Sequence, residues 1–289
     1  LILFKKILQK NSSIVSDKSI KEFFVLKKIA KKRSLKIIEI SKIIEKIKNT
    51  LLESNSEFKI KNLAMAIAAT KLCNLKDKKI FNSLQKIKDV PGRLELTRRF
   101  PNNIKVFIDY AHTPDALSKV LKFLNNKYGK NISLVFGCGG DRDKNKRSLM
   151  GKIANKYSKK VYVTDDNPRN EDPKKIRNEI IKSISDKKCL NIGNRASAIK
   201  KAIKNSEQNE VILIAGKGHE DKQIYKNKIF YTSDKKIVRN IKLKMKVLPQ
   251  KKQNYLQNKL ILQKIKGNIN LKNFQGLAID SRMVKKNNL

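Results

Sequence analysis

The sequence has little of what builds extracellular frameworks or membrane spans. Its three cysteines, Cys73, Cys138 and Cys189, lie far apart without any Cys-x-x-Cys spacing. This argues against a disulfide framework or a zinc site and indicates a reduced, cytosolic protein. No run of about 18 apolar residues occurs, so the sequence predicts no membrane-spanning helix. The apolar start at residues 1–4 is too short for a signal peptide and lacks a small-residue cleavage site.

Aromatic and acidic residues are also scarce, which bears on nucleic-acid binding. Aromatics make up 6% of the chain, and 25 Asp and Glu stand against 68 Lys and Arg, for a net charge of +43. Only 11 of these are Arg, and the 57 Lys are spread through every segment. Nucleic-acid readers favour Arg for bidentate contacts and aromatics for stacking. We therefore expect no specific nucleic-acid partner. We attribute the charge to a genome-wide drift towards Lys, Asn and Ile codons. A basic nucleic-acid-binding protein stays as an alternative.

Proline and glycine are few, and they mark boundaries. At 289 residues and 39% hydrophobic, the chain can form about two domains. Val-Pro-Gly-Arg at 90–93 ends a region of short strands (13–15 and 36–40) and helices (19–33, 63–69 and 77–87), and it predicts a hinge. We expect one unit over 1–88, a second over 89–241, a linker over 242–259 and a short further module over 260–289. The chain begins with Leu rather than Met and stops abruptly, so we expect a fragment.

Beyond the hinge, strand and helix patterns alternate. Apolar strands are predicted at 105–109, 132–136, 160–164 and 210–214, and helices lie between or after them. Thr113 suits an N-cap with Pro114 at the first helical position, and Asp172 with Pro173 repeats that pattern. The alternation predicts an α/β fold: a Rossmann-like, mostly parallel sheet with helices on both faces.

Polar loops follow three of these strands and predict a ligand site. They are Gly-Cys-Gly-Gly-Asp-Arg at 137–142, Thr-Asp-Asp-Asn-Pro-Arg at 164–169 and Ala-Gly-Lys-Gly-His-Glu at 215–220. In open α/β folds, ligands bind outside the carboxyl ends of parallel strands. Arg169 can grip a carboxylate, while Asp166 and Asn167 can receive an ammonium group. With Glu220 and a close backbone approach at Gly216, the loops describe a pocket for a small zwitterion.

Simpler interpretations of these residues stay open. The first loop lacks the G-x-G-x-x-G pattern and the Gly-Lys-Ser/Thr ending of a P-loop, so its glycines can serve backbone geometry alone. The second can be an Asp/Asn/Pro turn with a solvated Arg. His112 and His219 lie in strand-end loops, where a structural role is as open as a binding one. Arg93 can reach a nucleotide phosphate when two domains close, or it can be an ordinary surface residue.

Taken together, these stretches resemble the Mur ligase family, the ATP-dependent amino-acid ligases of peptidoglycan synthesis. The resemblance covers about residues 1–240. Five motifs carry it, in order: Val-Pro-Gly-Arg at 90–93, Asp-Tyr-Ala-His-Thr-Pro-Asp at 109–115, Phe-Gly-Cys-Gly-Gly-Asp-Arg-Asp-Lys at 136–144, Asp-Asp-Asn-Pro-Arg at 165–169 and Ala-Gly-Lys-Gly-His-Glu at 215–220. Within the family, the Asp-Asn-Pro-Arg run implies meso-diaminopimelate rather than lysine as the added amino acid, although a lysine-adding member is the nearest alternative.

The resemblance also implies ligands and roles. A UDP-linked muramoyl dipeptide would be the second substrate, and ATP with Mg²⁺ would activate its carboxylate. Asn62, Arg93 and Asp109 would face ATP, with Asn62 near the base. His112, Lys217 and His219 are possible further members of the site. Seven residues would line the diaminopimelate pocket: Arg142, Asp166, Asn167, Pro168, Arg169, Gly216 and Glu220.

The chain departs from the family pattern at both ends. The family's phosphate loop and magnesium-binding Lys would lie upstream of Leu1, so residues 1–88 would be the end of an α/β ATPase domain and the chain alone would be inactive as a ligase. A Gly-Leu-Ala-Ile-Asp-Ser-Arg run at 276–282 resembles the start of another Mur ligase, which implies a bifunctional fusion. A pure amino-acid-binding module is a further alternative.

Overall fold

The computed structural model describes residues 12–50, 57–84, 86–87 and 89–242. Its contacts divide the chain into one unit, Leu1–Ile241, and a second, Lys242–Leu289. The predicted linker beyond Lys242 and the predicted module at 260–289 lie outside the described residues. None of the helices in the described ranges is long and apolar enough to cross a membrane.

The amino-terminal part is a small α/β arrangement with its own core. Strand β1 (Ser13–Ser16) pairs in parallel with β2 (Lys36–Glu39), and helix α1 (Phe23–Lys32) connects them. Helices α2 (Ser41–Thr50), α3 (Glu57–Leu72) and α4 (Asp77–Leu84) follow. The small side chains of Ala64 and Ala68 are fully buried against α2, which explains why the alanine-rich run forms a closely packed helix.

The larger part is a six-stranded sheet in the order β3-β4-β8-β5-β6-β7. Only β3 runs antiparallel to its neighbour. Helices α5, α6 and α7 pack in series on the face that carries Leu134, Phe136 and Leu213, while α8 and α9 contact each other and the sheet. The predicted parallel α/β fold with helices on both faces is therefore confirmed. The elements are β3 (Glu95–Phe100), β4 (Ile104–Asp109), α5 (Pro114–Tyr128), β5 (Ile132–Phe136), α6 (Asn145–Tyr157), β6 (Lys160–Val163), α7 (Pro173–Ile181), β7 (Cys189–Asn191), α8 (Arg195–Lys204), β8 (Val211–Ala215), β9 (Lys222–Tyr225), β10 (Lys228–Tyr231) and α9 (Asp234–Asn240).

Two helix starts have the caps that the sequence predicts. The Thr113 side chain accepts a hydrogen bond from the Ala116 amide before α5, and Asp172 accepts one from Lys174 before α7. Because β4, β5, β6 and β8 are mutually parallel, their carboxyl ends share one edge of the sheet. All three polar loops leave from that edge.

Candidate active site

Backbone hydrogen bonds join the strand-end loops to one another. The Gly216 amide donates to the Asp109 carbonyl at 3.1 Å, which ties the loop after β8 to the end of β4. The Gly140 amide donates to the Asn167 carbonyl at 2.9 Å, which ties the loop after β5 to the loop after β6. A Cβ on Gly140 would lie only 1.9 Å from the Pro168 carbonyl oxygen, so this close approach requires glycine. The loops form one continuous surface.

Glu220 is held by side chains from two other loops. Its Oε2 accepts a hydrogen bond from the Asn167 amide at 3.2 Å, and its Oε1 accepts one from the Tyr110 hydroxyl at 3.1 Å. The Lys217 ammonium lies 3.8 Å from Oε2. Asn167 is oriented in turn, because its Oδ1 accepts from the Ile224 amide at 3.0 Å and its Nδ2 therefore faces Glu220. The result is a fixed, half-buried carboxylate.

Arg169, two residues after Asn167, has a restrained backbone conformation. Its φ of 51° is in the left-handed region, which is uncommon for a side chain with a Cβ and tends to occur at functional positions. Its amide donates to the Ile224 carbonyl at 3.0 Å, and its guanidinium donates to the Gly140 carbonyl at 2.8 Å. The backbone of the loop after β6 is therefore fixed by strand β9.

Arg142 and Arg169 approach each other across Gly139. A Cβ built on Gly139 would lie 2.9 Å from the Arg169 guanidinium and 4.0 Å from Cγ of Arg142. Arg142 itself is exposed. Arg169 also lines a cavity of about 680 Å³ with residues 170–173 and 225–228, and neither Arg142 nor Glu220 borders it. The structure thus connects Arg142 with Arg169 through Gly139, and Arg169 with Glu220 through Asn167. The three side chains do not share this cavity.

Asp166 is the buried acid of the group. The residue is 8% exposed, and burial raises the pKa of its carboxyl, although the positive charges of Arg195 and Lys217 act in the opposite direction. Gly216, with φ of +110°, passes directly over it, since a Cβ there would lie 2.7 Å from Asp166 Oδ2. A negative charge in so dry a place favours a cation as its neighbour.

Asp165, unlike Asp166, uses its side chain in contacts within the protein. Its Oδ1 pairs with the Arg177 guanidinium, and its Oδ2 accepts a hydrogen bond from the Tyr225 hydroxyl at 2.9 Å. Its carbonyl accepts from Gln223 at 3.1 Å. Both carboxylate oxygens are thus used within the protein, so Asp165 fixes the loop.

Two of the three residues expected to face ATP, Arg93 and Asp109, lie next to Tyr110 at this edge. The exposed Arg93 guanidinium rests over the Tyr110 ring, 4.4 Å from its centroid. Asp109 is buried and accepts from the Leu94 amide at 2.6 Å and from the Ala111 amide at 2.7 Å, and burial raises the pKa of its carboxyl. Asp109 therefore holds the turn that presents Arg93. Asn62 lies exposed on α3.

Both histidines surround Tyr110. The His219 ring stacks on it with centroids 5.8 Å apart, and the His112 ring meets it edge-on at 4.7 Å. His112 Nδ1 lies 2.9 Å from the Tyr110 carbonyl. Both side chains are exposed at the site, so they are members of the same cluster.

Comparison with known proteins identifies the family behind this geometry. Residues 92–218 match the Mur ligase, glutamate ligase domain. A UDP-N-acetylmuramoyl-L-alanyl-D-glutamate–2,6-diaminopimelate ligase of Rickettsia typhi is 42% identical over 207 residues, which are 71% of this chain and 41% of that protein. Residues 92–218 belong to the Mur ligase family. The ligase of the same name from Rickettsia bellii is 48% identical over 58% of this chain and 35% of its own length.

The matched part spans about two fifths of the Rickettsia typhi ligase. Among solved structures, a folylpolyglutamate synthase of Mycobacterium tuberculosis aligns with a TM-score of 0.55 at 17% identity, over 71% of this chain and 52% of its own. At that identity the likeness shows the fold alone, and it agrees with the mostly parallel sheet of this chain.

Beneath the site, the Mur ligase fold holds a buried ionic cluster that sequence reasoning missed. Arg195 at the start of α8 and Asp234 at the start of α9 are both fully buried and are joined by two hydrogen bonds of 2.8 and 2.7 Å. Arg195 also donates to the Ala215 carbonyl at 3.1 Å, directly before Gly216. Lys217 is fully buried beside them, and burial lowers the pKa of its ammonium.

Sequence signals for the residues of the buried ionic cluster were weak. Arg195 and Asp234 each begin a helix, where a charged residue is ordinary, and they are far apart in the chain. Tyr110 was visible inside the Asp-Tyr-Ala-His motif, but only the fold shows that its hydroxyl reaches Glu220.

Proposed function

We propose that this chain is part of a ligase that adds meso-diaminopimelate to UDP-N-acetylmuramoyl-L-alanyl-D-glutamate in the cytoplasm, at the expense of ATP. The observation that carries the proposal lies at the carboxyl edge of the sheet, where the Asn167 side chain donates to Glu220 and the Arg169 guanidinium donates to the Asn167 carbonyl. The names of the Rickettsia relatives, which are 42% and 48% identical, support the same substrate.

The charges of the site match the far end of a two-headed amino acid. Diaminopimelate carries a carboxylate and an ammonium group at each end. The guanidinium groups of Arg169 and Arg142 suit the distal carboxylate, while Glu220 and Asp166 suit the distal ammonium. Pro168 and Gly216 shape the backbone between these groups. Lysine has no distal carboxylate, so it would leave Arg169 without its partner, and this favours diaminopimelate over lysine.

ATP would bind next to Tyr110. Arg93 is exposed and presented by the Asp109 turn, which suits a phosphate group, and the resemblance places Asn62 towards the base. His112 and His219 would support this surface, while the buried Lys217 would act through Glu220. In the described ranges, no group of three His, Cys, Asp or Glu side chains could hold a metal ion, so we assign no Mg²⁺ ligand there.

The residues of this chain would act by positioning. ATP supplies the phosphoryl group that turns the dipeptide carboxylate into an acyl phosphate. The loops around Glu220 and Arg169 would hold diaminopimelate so that its free amine faces that carbon, and burial of the site would exclude competing water. The hinge at 90–93 lies next to this surface, since Gly92 packs against Gly218 and His219. Closure about this hinge would bring Arg93 towards the nucleotide.

Calorimetric titration with meso-diaminopimelate and with lysine tests the proposal. We expect the protein to prefer diaminopimelate, and we expect Arg169→Ala to weaken its binding by about 2–4 kcal/mol, because a charged hydrogen-bonding partner is lost. Arg99→Ala, an exposed arginine on β3, is the matched control and should change nothing. Equal affinity for the two amino acids, or normal binding by Arg169→Ala, would exclude the assignment.

A further inference from the structure

Tyr110 lies between the two proposed ligand regions and contacts a key residue of each. It follows β4 directly and is half-buried. Its hydroxyl donates to Glu220 Oε1 at 3.1 Å, and its ring supports the Arg93 guanidinium at 4.4 Å from the centroid. Glu220 belongs to the amino-acid side and Arg93 to the nucleotide side, if the proposed function holds.

The hydroxyl contact determines where the Glu220 carboxylate points. Asn167 donates to Oε2, and Tyr110 donates to Oε1, so the two bonds fix both oxygens of the group. Removing the hydroxyl would leave only the contacts at Oε2 to hold the carboxylate, so its orientation would be less fixed. A ligand ammonium would then meet a less ordered partner.

The ring also contacts the loop that carries Glu220. Gly218 has φ of +55°, and a Cβ there would lie 2.9 Å from Cβ of Tyr110. His219 then stacks on the ring at 5.8 Å. The loop that carries Glu220 therefore packs on the same aromatic side chain that supports Arg93, and a cation over such a face is attracted to it.

We propose that Tyr110 is a positioning residue for both ligands, and that its two ends act separately. The hydroxyl orients Glu220 for the amino acid, and the ring orients Arg93 for the nucleotide. This goes beyond the proposed function, on which it rests, because it predicts that two different substitutions at one position damage different substrates.

Paired substitutions separate the two ends. Tyr110→Phe keeps the ring and should raise the dissociation constant for meso-diaminopimelate about tenfold, as for a lost hydrogen bond to a charged group, with ATP affinity within about twofold. Tyr110→Leu removes the ring as well and should weaken both ligands. Tyr231→Phe, at an exposed tyrosine, is the control and should match the unmodified protein. Diaminopimelate affinity unchanged in Tyr110→Phe would overturn the proposal.

A double substitution checks that the hydroxyl acts through Glu220. In a Glu220→Ala background, Tyr110→Phe should have no further effect on diaminopimelate binding. If it still weakens binding about tenfold, the hydroxyl acts elsewhere and the proposal is wrong.

A ligand-free measurement keeps this result apart from the proposed function. Burial and the neighbouring Glu220 raise the pKa of the Tyr110 hydroxyl, so Glu220→Gln should lower that pKa in an NMR titration of ring-labelled tyrosine. An unchanged pKa would refute the contact. If the pKa responds but the unmodified protein binds neither amino acid nor ATP, the proposed function fails while the positioning contact stands.

Discussion

Cys138 illustrates how burial controls a single side chain at this edge. It is 3% exposed, its Sγ lies 3.8 Å from Met150 Sδ, and burial raises the pKa of its thiol to about 12. Cys138 therefore acts as a small packing residue. Its place in the glycine loop therefore gives no reason to expect a nucleophile.

Thiol labelling should distinguish the cysteines of the native protein. At neutral pH we expect iodoacetamide to modify the exposed Cys73 quickly and to leave Cys138 unmodified, because only the thiolate reacts. Peptide mass spectrometry after a timed quench measures each site. Unfolding in denaturant is the control, since it should make both residues react alike. Rapid native labelling of Cys138 would contradict its burial.

Gly216 offers a second test at the residue scale. Its φ of +110° strains any other residue, and a Cβ there would collide with Asp166 Oδ2 at 2.7 Å. We expect Gly216→Ala to destabilise the fold by about 1–3 kcal/mol and to abolish diaminopimelate binding. Urea unfolding and calorimetry measure the two effects.

Gly129 provides the matched control for Gly216→Ala. It also has positive φ, +81°, but nothing lies within 4 Å of a Cβ there. Gly129→Ala should therefore carry the backbone strain without the collision, and it should leave binding intact. If Gly216→Ala and Gly129→Ala bind diaminopimelate equally well, the close contact between Gly216 and Asp166 has no part in binding.

At the scale of elements, the sequence predicts strands that are apolar and helices that are capped. The strands at 132–136 and 211–215 are buried along their whole length, which makes their pattern unmistakable. The hairpin of β9 and β10 escaped prediction because each strand has only four residues and β10 is exposed along its whole length. Strand β3, Glu-Leu-Thr-Arg-Arg-Phe, escaped because it is an edge strand with charged side chains.

The missed hairpin matters because it fixes the loop after β6. Ile224 and Tyr225 contact Asn167 and Asp165, and the hairpin backbone pairs with Arg169. The sequence therefore predicted which side chains form the candidate site, but not which contacts hold them in place. Those contacts join residues more than fifty positions apart, and no local pattern encodes them.

The Arg195–Asp234 pair links two elements and gives a stability prediction. Asp234→Asn would leave the buried guanidinium without its counter-charge, which costs about 3–5 kcal/mol. The exposed pair of Lys119 and Asp115 is the control, and Asp115→Asn should cost less than about 1 kcal/mol. Denaturant unfolding followed by circular dichroism measures both. Similar losses in the two variants would contradict the assigned burial.

At the scale of the whole molecule, the amino-terminal and sheet parts touch through aromatic side chains. Phe58 on α3 meets Phe123 on α5 edge-on, with ring centroids 6.1 Å apart. Phe58 also packs against the main core. The helix that carries Asn62 is thus tied to the sheet part near its start, which is compatible with a shared nucleotide surface.

The net charge of +43 could be mistaken for a sign of specific nucleic-acid binding. We expect duplex DNA to bind weakly, with dissociation constants of about 10⁻⁴–10⁻⁶ M at physiological salt, because spread lysines attract phosphates without reading bases. Fluorescence anisotropy with several unrelated duplexes, repeated as KCl is raised, measures this. The affinities should be equal across sequences and should fall steeply with salt. Saturating meso-diaminopimelate should leave DNA binding unchanged, since the proposed pocket recognises a zwitterion. A strong preference for one duplex would revive the nucleic-acid-binding alternative.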